Sequence, residues 1–160
     1  MSQEVELHLS AMTGLPDRLR EAAREAKKAA LGGVGEELLS MVRQSAGTHM
    51  NAARGRVASW QRAYTGTHGG YVAVRAAADT YIYTKSGKKY AVGYVTNAVE
   101  NGHRVRLPSG TAARYKPRIR TAGRVPGRYF YRDVQNQTAS LEQKAKTLVE
   151  EKLKEVLEHD

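Results

Sequence analysis

The apolar residues of this chain change period twice, and that change dictates the class of fold. Leu15, Leu19, Ala22, Ala26 and Ala30 recur at helical spacing, and Leu38, Leu39, Val42 and Ala46 continue as a second stripe. The runs Tyr71–Ala76, Thr80–Lys85 and Lys89–Val95 are then rich in Tyr, Val and Ile and read as strands. From Phe130 onward helical spacing returns through Val134, Leu141, Ala145, Leu148, Leu153 and Val156. A helix, a group of short strands and a second helix make an α+β fold in one domain of 160 residues.

The boundaries follow from punctuation. Residues 15–46 form an N-terminal helical part, with Pro16 suited to its first turn. Gly32, Gly33 and Gly35 each cost about 1 kcal/mol inside a helix, so the spacing predicts a break or bend there. Residues 47–70 are polar, basic and glycine-punctuated, which predicts a flexible basic loop. Residues 71–95 read as an antiparallel meander in a small sheet of three or four strands, with Gly87 in the turn "KSGK". Asn97 and Glu100 stand three apart like a capping box, and Gly102 suits a helix C-terminus, so one or two helical turns are expected between them. A long basic arm over 103–127 follows, where prolines and glycines oppose regular structure, and then a long helix over 128–157 whose stripe is interrupted at Gln135–Ser140.

Composition adds two constraints. Leu, Ile, Val and Phe together make only 29 of the 160 residues, while 22 are Ala. A core so thin gains from burial against neighbouring subunits. The net charge is +10, and its excess is concentrated: between Asn101 and Arg132 there are nine Lys or Arg and no Asp or Glu. Such a run suits an anionic partner, either nucleic acid or an acidic protein surface. The last 21 residues, with six acids and four bases, supply an acidic surface within the same chain. There is no cysteine, which leaves no disulfide or thiol chemistry. No apolar run approaches a membrane span of about 18–20 residues. The start of the chain, "MSQEVELHLS", carries acids and lacks a signal-peptide core, so a soluble protein made in the cytoplasm is expected, with no membrane partner.

No constellation for catalysis, cofactor or metal stands out. "GGVGEE" lacks the preceding strand and the following Lys-Ser/Thr of a phosphate loop, and its two glutamates would repel phosphate. His8, His49, His68, His103 and His159 lie far apart, without ligand spacing. Ser59 and His68 lack a nucleophile elbow. Glu100 is the sole acid between Thr80 and Arg132 and sits beside His103 and Arg104. It could act as the base of a ribonuclease, but it has no placed partner, and a cap or ion pair that fixes the start of the arm is the better reading. Tyr115 among Arg114, Lys116, Arg118 and Arg120 fits stacking plus phosphate contact, and equally an arm laid over a neighbouring subunit.

The order of these parts resembles the tail-completion, or minor tail component, family of tailed double-stranded-DNA bacteriophages, the head–tail joining proteins of the neck. Gly55, Arg56 and Val57 in "RGRVASW", which ends in Trp60, stand where that family has the Gly-Arg-Leu of Thr-Gly-Arg-Leu-x-x-Ser, with Ser59 one place before its Ser. Val99, Glu100, Gly102 and His103 match its Val-Glu-x-Gly-Thr/His, and Arg128 with Phe130 in "VPGRYF" is similar to its Pro-x-x-Phe approach to a final helix, with one residue more between Pro126 and Phe130. Arg54 replaces the usual Thr, and Val95-Thr96 replaces Tyr-Ala. The resemblance implies a structural virion protein, assembled in the host cytoplasm, that closes a homo-oligomeric ring at the head–tail junction or the head-proximal tail end. A hexamer is expected, and a dodecamer is the other option. Its partners would be other neck and tail proteins, such as a head-completion protein, tail terminator or tail tube, with contact to genomic DNA left open. It implies no catalysis, cofactor or small-molecule substrate. In that reading Glu100, Gly102 and His103 anchor the arm, and Arg114, Arg118, Arg120, Arg124 and Arg128 span subunits. Phe130 plugs the base of the last helix. The alternatives are a basic nucleic-acid-binding module and, third, a small ribonuclease-type toxin.

Overall fold

The computed structural model describes residues 4–8, 17–50, 55–105 and 123–158. Among them the fold is α+β. The long helix α1 (Asp17–His49) crosses a three-stranded antiparallel sheet in the order β1 (Val5–His8), β3 (Tyr71–Ala76), β2 (Gln61–Thr65). In that sheet Val74 pairs with Val5 on one side and Ala63 on the other. The short helix α2 (Arg56–Ser59) leads into β2. The hairpin β4 (Tyr81–Tyr83) and β5 (Lys89–Ala91) is a separate two-stranded sheet. Helix α3 (Val92–Asn101) follows it, then a second separate ribbon of β6 (Gly102–Val105) and β7 (Gly123–Pro126). Helices α4 (Phe130–Gln135) and α5 (Ala139–Glu158) close the chain.

The core is where the second stripe of α1 meets the sheet. Leu31, Val34, Leu38 and Val42 are fully buried against Val5, Val72 and Val74. Each such side chain contributes about 1.5–3 kcal/mol of burial, which outweighs the cost of the nearby glycines. Hence α1 runs through Gly32, Gly33 and Gly35 without the expected break. Gly35 has a packing reason: a Cβ there would lie 2.8 Å from a Val72 methyl, so the missing side chain lets helix and sheet approach. The first stripe is thinner. Ala26 and Ala30 pack against Val149, Leu148 and Leu153, so α5 lies on the alanine face of α1, and Lys144 pairs with Glu37 across the same junction.

Four further sequence expectations change. The basic loop over 47–70 contains α2 and a sheet strand, because Val57, Trp60 and Gln61 are drawn into the core. The meander over 71–95 is divided: Tyr71–Ala76 pairs with β1 and β2, while the other two runs pair only with each other. The third strand stops at Ala91, since Val92, Thr96 and Glu100 bury one face of a ten-residue helix. The helix over 128–157 is two helices parted at residues 136–138, in the polar stretch that interrupts the stripe.

Candidate functional site

Three sequence motifs far apart in the chain converge on α3. Its buried positions, Val92, Thr96 and Glu100, recur every four residues and so share one face. Thr96 accepts a hydrogen bond from the Trp60 indole at 2.9 Å and donates its own to the Val92 carbonyl. This ties "RGRVASW" to the helix, and Trp60 belongs to the core instead of to a loop. Of the other residues of that motif, Arg56 and Ser59 are exposed, Gly55 is half-buried, and the Ser59 hydroxyl donates to the Arg56 carbonyl at 2.7 Å.

Glu100 is 2% exposed. Its carboxylate accepts from the backbone N–H of Tyr131 at 3.1 Å and of Arg132 at 3.3 Å. The first N–H groups of a helix lack partners within it, and Tyr129 at the start of α4 offers no side-chain cap. Glu100 therefore caps α4 from another element, where its charge also meets the positive helix end. It fixes the chain that follows the arm, where the sequence spacing pointed to the arm's start. Burial holds its pKa above the usual 4.5, outweighing the backbone donors of α4 and the nearby Arg132 charge, which favour ionisation.

The backbone around Glu100 is locked in the same way. Arg128 N–H donates to the Val99 carbonyl at 2.9 Å, and Tyr129 N–H to the Glu100 carbonyl at 3.2 Å. Gly102 ends α3 with φ of +75°. A Cβ on Gly102 would overlap the Val125 carbonyl oxygen, and one on Gly127 would overlap the Glu100 carbonyl oxygen. Only glycine permits the two chain segments to cross this closely. Tyr129 takes the left-handed conformation, φ 54°, and the Arg132 guanidinium lies over its ring at 3.9 Å.

The arm is thus irregular only in part. His103 stands opposite Val125, and Arg104 opposite Arg124, in an antiparallel ribbon. His103, Arg104, Arg124 and Arg128 are all exposed. Arg124 donates to the Asn101 carbonyl at 3.2 Å. Like charges directly opposite on a ribbon repel, which suits a surface that meets an anion. Arg114, Arg118 and Arg120 lie outside the described residues. Phe130 is fully buried beside Tyr131, with ring centroids 4.5 Å apart, and Ser45 donates to its carbonyl, so it is a core residue at the base of α4.

Gln61 and Tyr131 were not singled out by sequence. Gln61 is fully buried, donates to the Val57 carbonyl at 2.9 Å and accepts from the Tyr131 hydroxyl. Burial, with the Glu100 charge second, raises the Tyr131 pKa well above the ordinary phenol value. The aromatic run Tyr129-Phe130-Tyr131 was the only signal, and it does not say which ring turns inward.

Chemically, these groups are engaged in holding the fold. Both Glu100 oxygens face backbone donors. A cleft of about 310 Å³ opens beside Glu100, lined by Glu4, Asn101, Tyr129, Arg132 and Gln135 among others. A second, of about 280 Å³, contains Ser45, His49 and Asp133. There His49 Nε2 lies 2.7 Å from Asp133, but the Ser45 hydroxyl is spent on the Phe130 carbonyl. Among the described residues no group of His, Asp and Glu is arranged to hold a metal ion, and no helix is long and apolar enough to cross a membrane.

No protein-family model, curated protein or solved structure matches this chain.

Proposed function

We propose that this chain is a structural virion protein of a tailed bacteriophage, forming a homo-oligomeric ring at the head–tail junction or the head-proximal end of the tail. The observation that carries the reading is the convergence just described. The three segments that resemble the tail-completion family meet at one point, Trp60 on Thr96 and Glu100 on the start of α4. The motif residues there hold the base of an arginine-bearing ribbon, and their polar atoms are used on backbone and on one another. Such a frame presents an arm to a neighbour and needs no turnover. The ring is expected to be sixfold, with other neck and tail proteins above and below it.

Particles made without the gene should accumulate as separate heads and tails, and reconstruction of the neck in complete particles should show this chain as a closed ring. Nuclease activity in the purified protein, lost in Glu100→Gln while the fold is kept, would overturn the reading. The Arg104–Arg124 pair and the net charge of +10 favour one alternative, nucleic-acid binding. That reading requires an affinity for DNA that falls by orders of magnitude between about 50 and 200 mM salt if six to ten phosphates are contacted.

A further inference from the structure

The β4–β5 ribbon is used by nothing described so far. Of its strand residues only Ile82 is partly buried, and it packs on the core. Tyr81 and Tyr83 stand on the opposite face, 41% and 67% exposed. Lys85, Lys88 and Lys89 surround them, and no acid lies between Thr80 and Val99. Isolated two-stranded hairpins are marginal in water, and clustered exposed tyrosines are typical of interface cores.

The last turns of α5 carry the opposite surface. Val156 and Leu157 are 41% and 58% exposed. Glu150, Glu151 and Glu158 make no ion pair among the described residues, whereas Glu155 is held by Lys152. Lys85 and Lys88 are likewise without a carboxylate partner among those residues. Within one chain α5 packs on α1, while the ribbon packs on α3.

We infer that the β4–β5 ribbon of one copy docks on the last turns of α5 in a second copy, tyrosines against Val156 and Leu157 and lysines against the unpaired glutamates. A contact between two different patches is heterologous and propagates from copy to copy, closing a ring when its rotation divides a full turn. The inference rests on the ring reading above and names its contact. A protein occupant fits better than a stacked nucleobase, because the Tyr81 ring is already covered by the Lys89 ammonium at 3.7 Å and Tyr90 stacks on Tyr94.

The chain has no cysteine, so the contact can be trapped directly. Under mild oxidation Tyr83→Cys/Leu157→Cys should give a ladder of covalent oligomers that ends at the ring size, while either single variant stops at dimers. Reversal of Lys85 and Lys88 to Glu, or of Glu150 and Glu151 to Lys, should each weaken self-association about a hundredfold in sedimentation. An equal mixture of the two reversed proteins should restore it. All four positions are exposed, and circular dichroism verifies that the fold is kept. Association that survives both reversals, without a ladder, overturns this contact and leaves the ring standing. No association at any concentration, with no ring in the particle neck, overturns both. Salt-sensitive oligonucleotide binding that the lysine reversal abolishes, with self-association intact, assigns the ribbon to nucleic acid and overturns the inference.

Discussion

The two ribbons that leave the main sheet are built alike and held differently. Each is a pair of short antiparallel strands next to α3, one before it and one after. The β6–β7 ribbon is rooted in the fold: its base crosses at Gly102 and Gly127, and the chain beyond it is hydrogen-bonded to Val99 and Glu100. The β4–β5 ribbon is attached lightly, by the packing of Ile82 and the hydrogen bond from Val92 N–H to the Thr80 carbonyl. The difference teaches that exposure has two meanings in this molecule. The arginine ribbon is exposed on top of a rigid frame that fixes its direction. The tyrosine ribbon is exposed because the fold packs only on its Ile82 face, and in the contact inferred above a second copy covers the other.

Glycine substitutions break this comparison most strongly. Gly102 and Gly87 both have positive φ, +75° and +78°. A Cβ at 102 overlaps backbone, whereas one at 87 meets open space. Gly102→Ala should lower stability by about 2–4 kcal/mol, since strain and overlap combine. Gly87→Ala should cost only about 1 kcal/mol, the left-handed backbone alone. Urea denaturation of the two variants measures the contrast, and equal losses would mean that the β6–β7 base is not locked.

Tyrosine substitutions test the same contrast at smaller scale. Tyr131→Phe strands the buried Gln61 oxygen and should cost about 1–3 kcal/mol. Tyr83→Phe should stay within about 0.5 kcal/mol, as for other exposed sites. A loss at Tyr83 as large as that at Tyr131 would show that the outer ribbon is structural.

The finest effect is a pH slope. Burial raises the Glu100 pKa, so the folded chain keeps this proton at pH values where the unfolded chain has released it. The associated stability is complete below the unfolded value, 4.5, and is lost as pH rises through the higher folded value. Glu100→Gln removes that ionisation. Relative to the variant, the parent should weaken as pH climbs through this window, as read from thermal midpoints at closely spaced pH. A difference between the two proteins that stays constant with pH would sink the account of a carboxyl held by burial.

Local pattern by itself determined the fold class, the helical stripes at Leu38–Ala46 and Leu141–Leu153, the turn at Gly87 and the helix end at Gly102. Each of these follows from periodicity or from backbone freedom at one residue. Only the tertiary structure decided the rest. Whether Gly35 breaks α1 depends on Val72, 37 positions later, and the sheet's need for close approach keeps the helix whole. The partition of the strand runs depends on Val5 and Ala63 taking the two edges of the strand at Val74, a pairing choice that no local propensity encodes. Glu100 could be read as a cap, but its target was hidden, because the donors it satisfies lie 31 and 32 residues away and are brought to it by the β6–β7 crossing. Gln61 and Tyr131, 70 positions apart, gave no local sign of each other. A buried polar pair becomes visible only when the core that excludes water around it has formed.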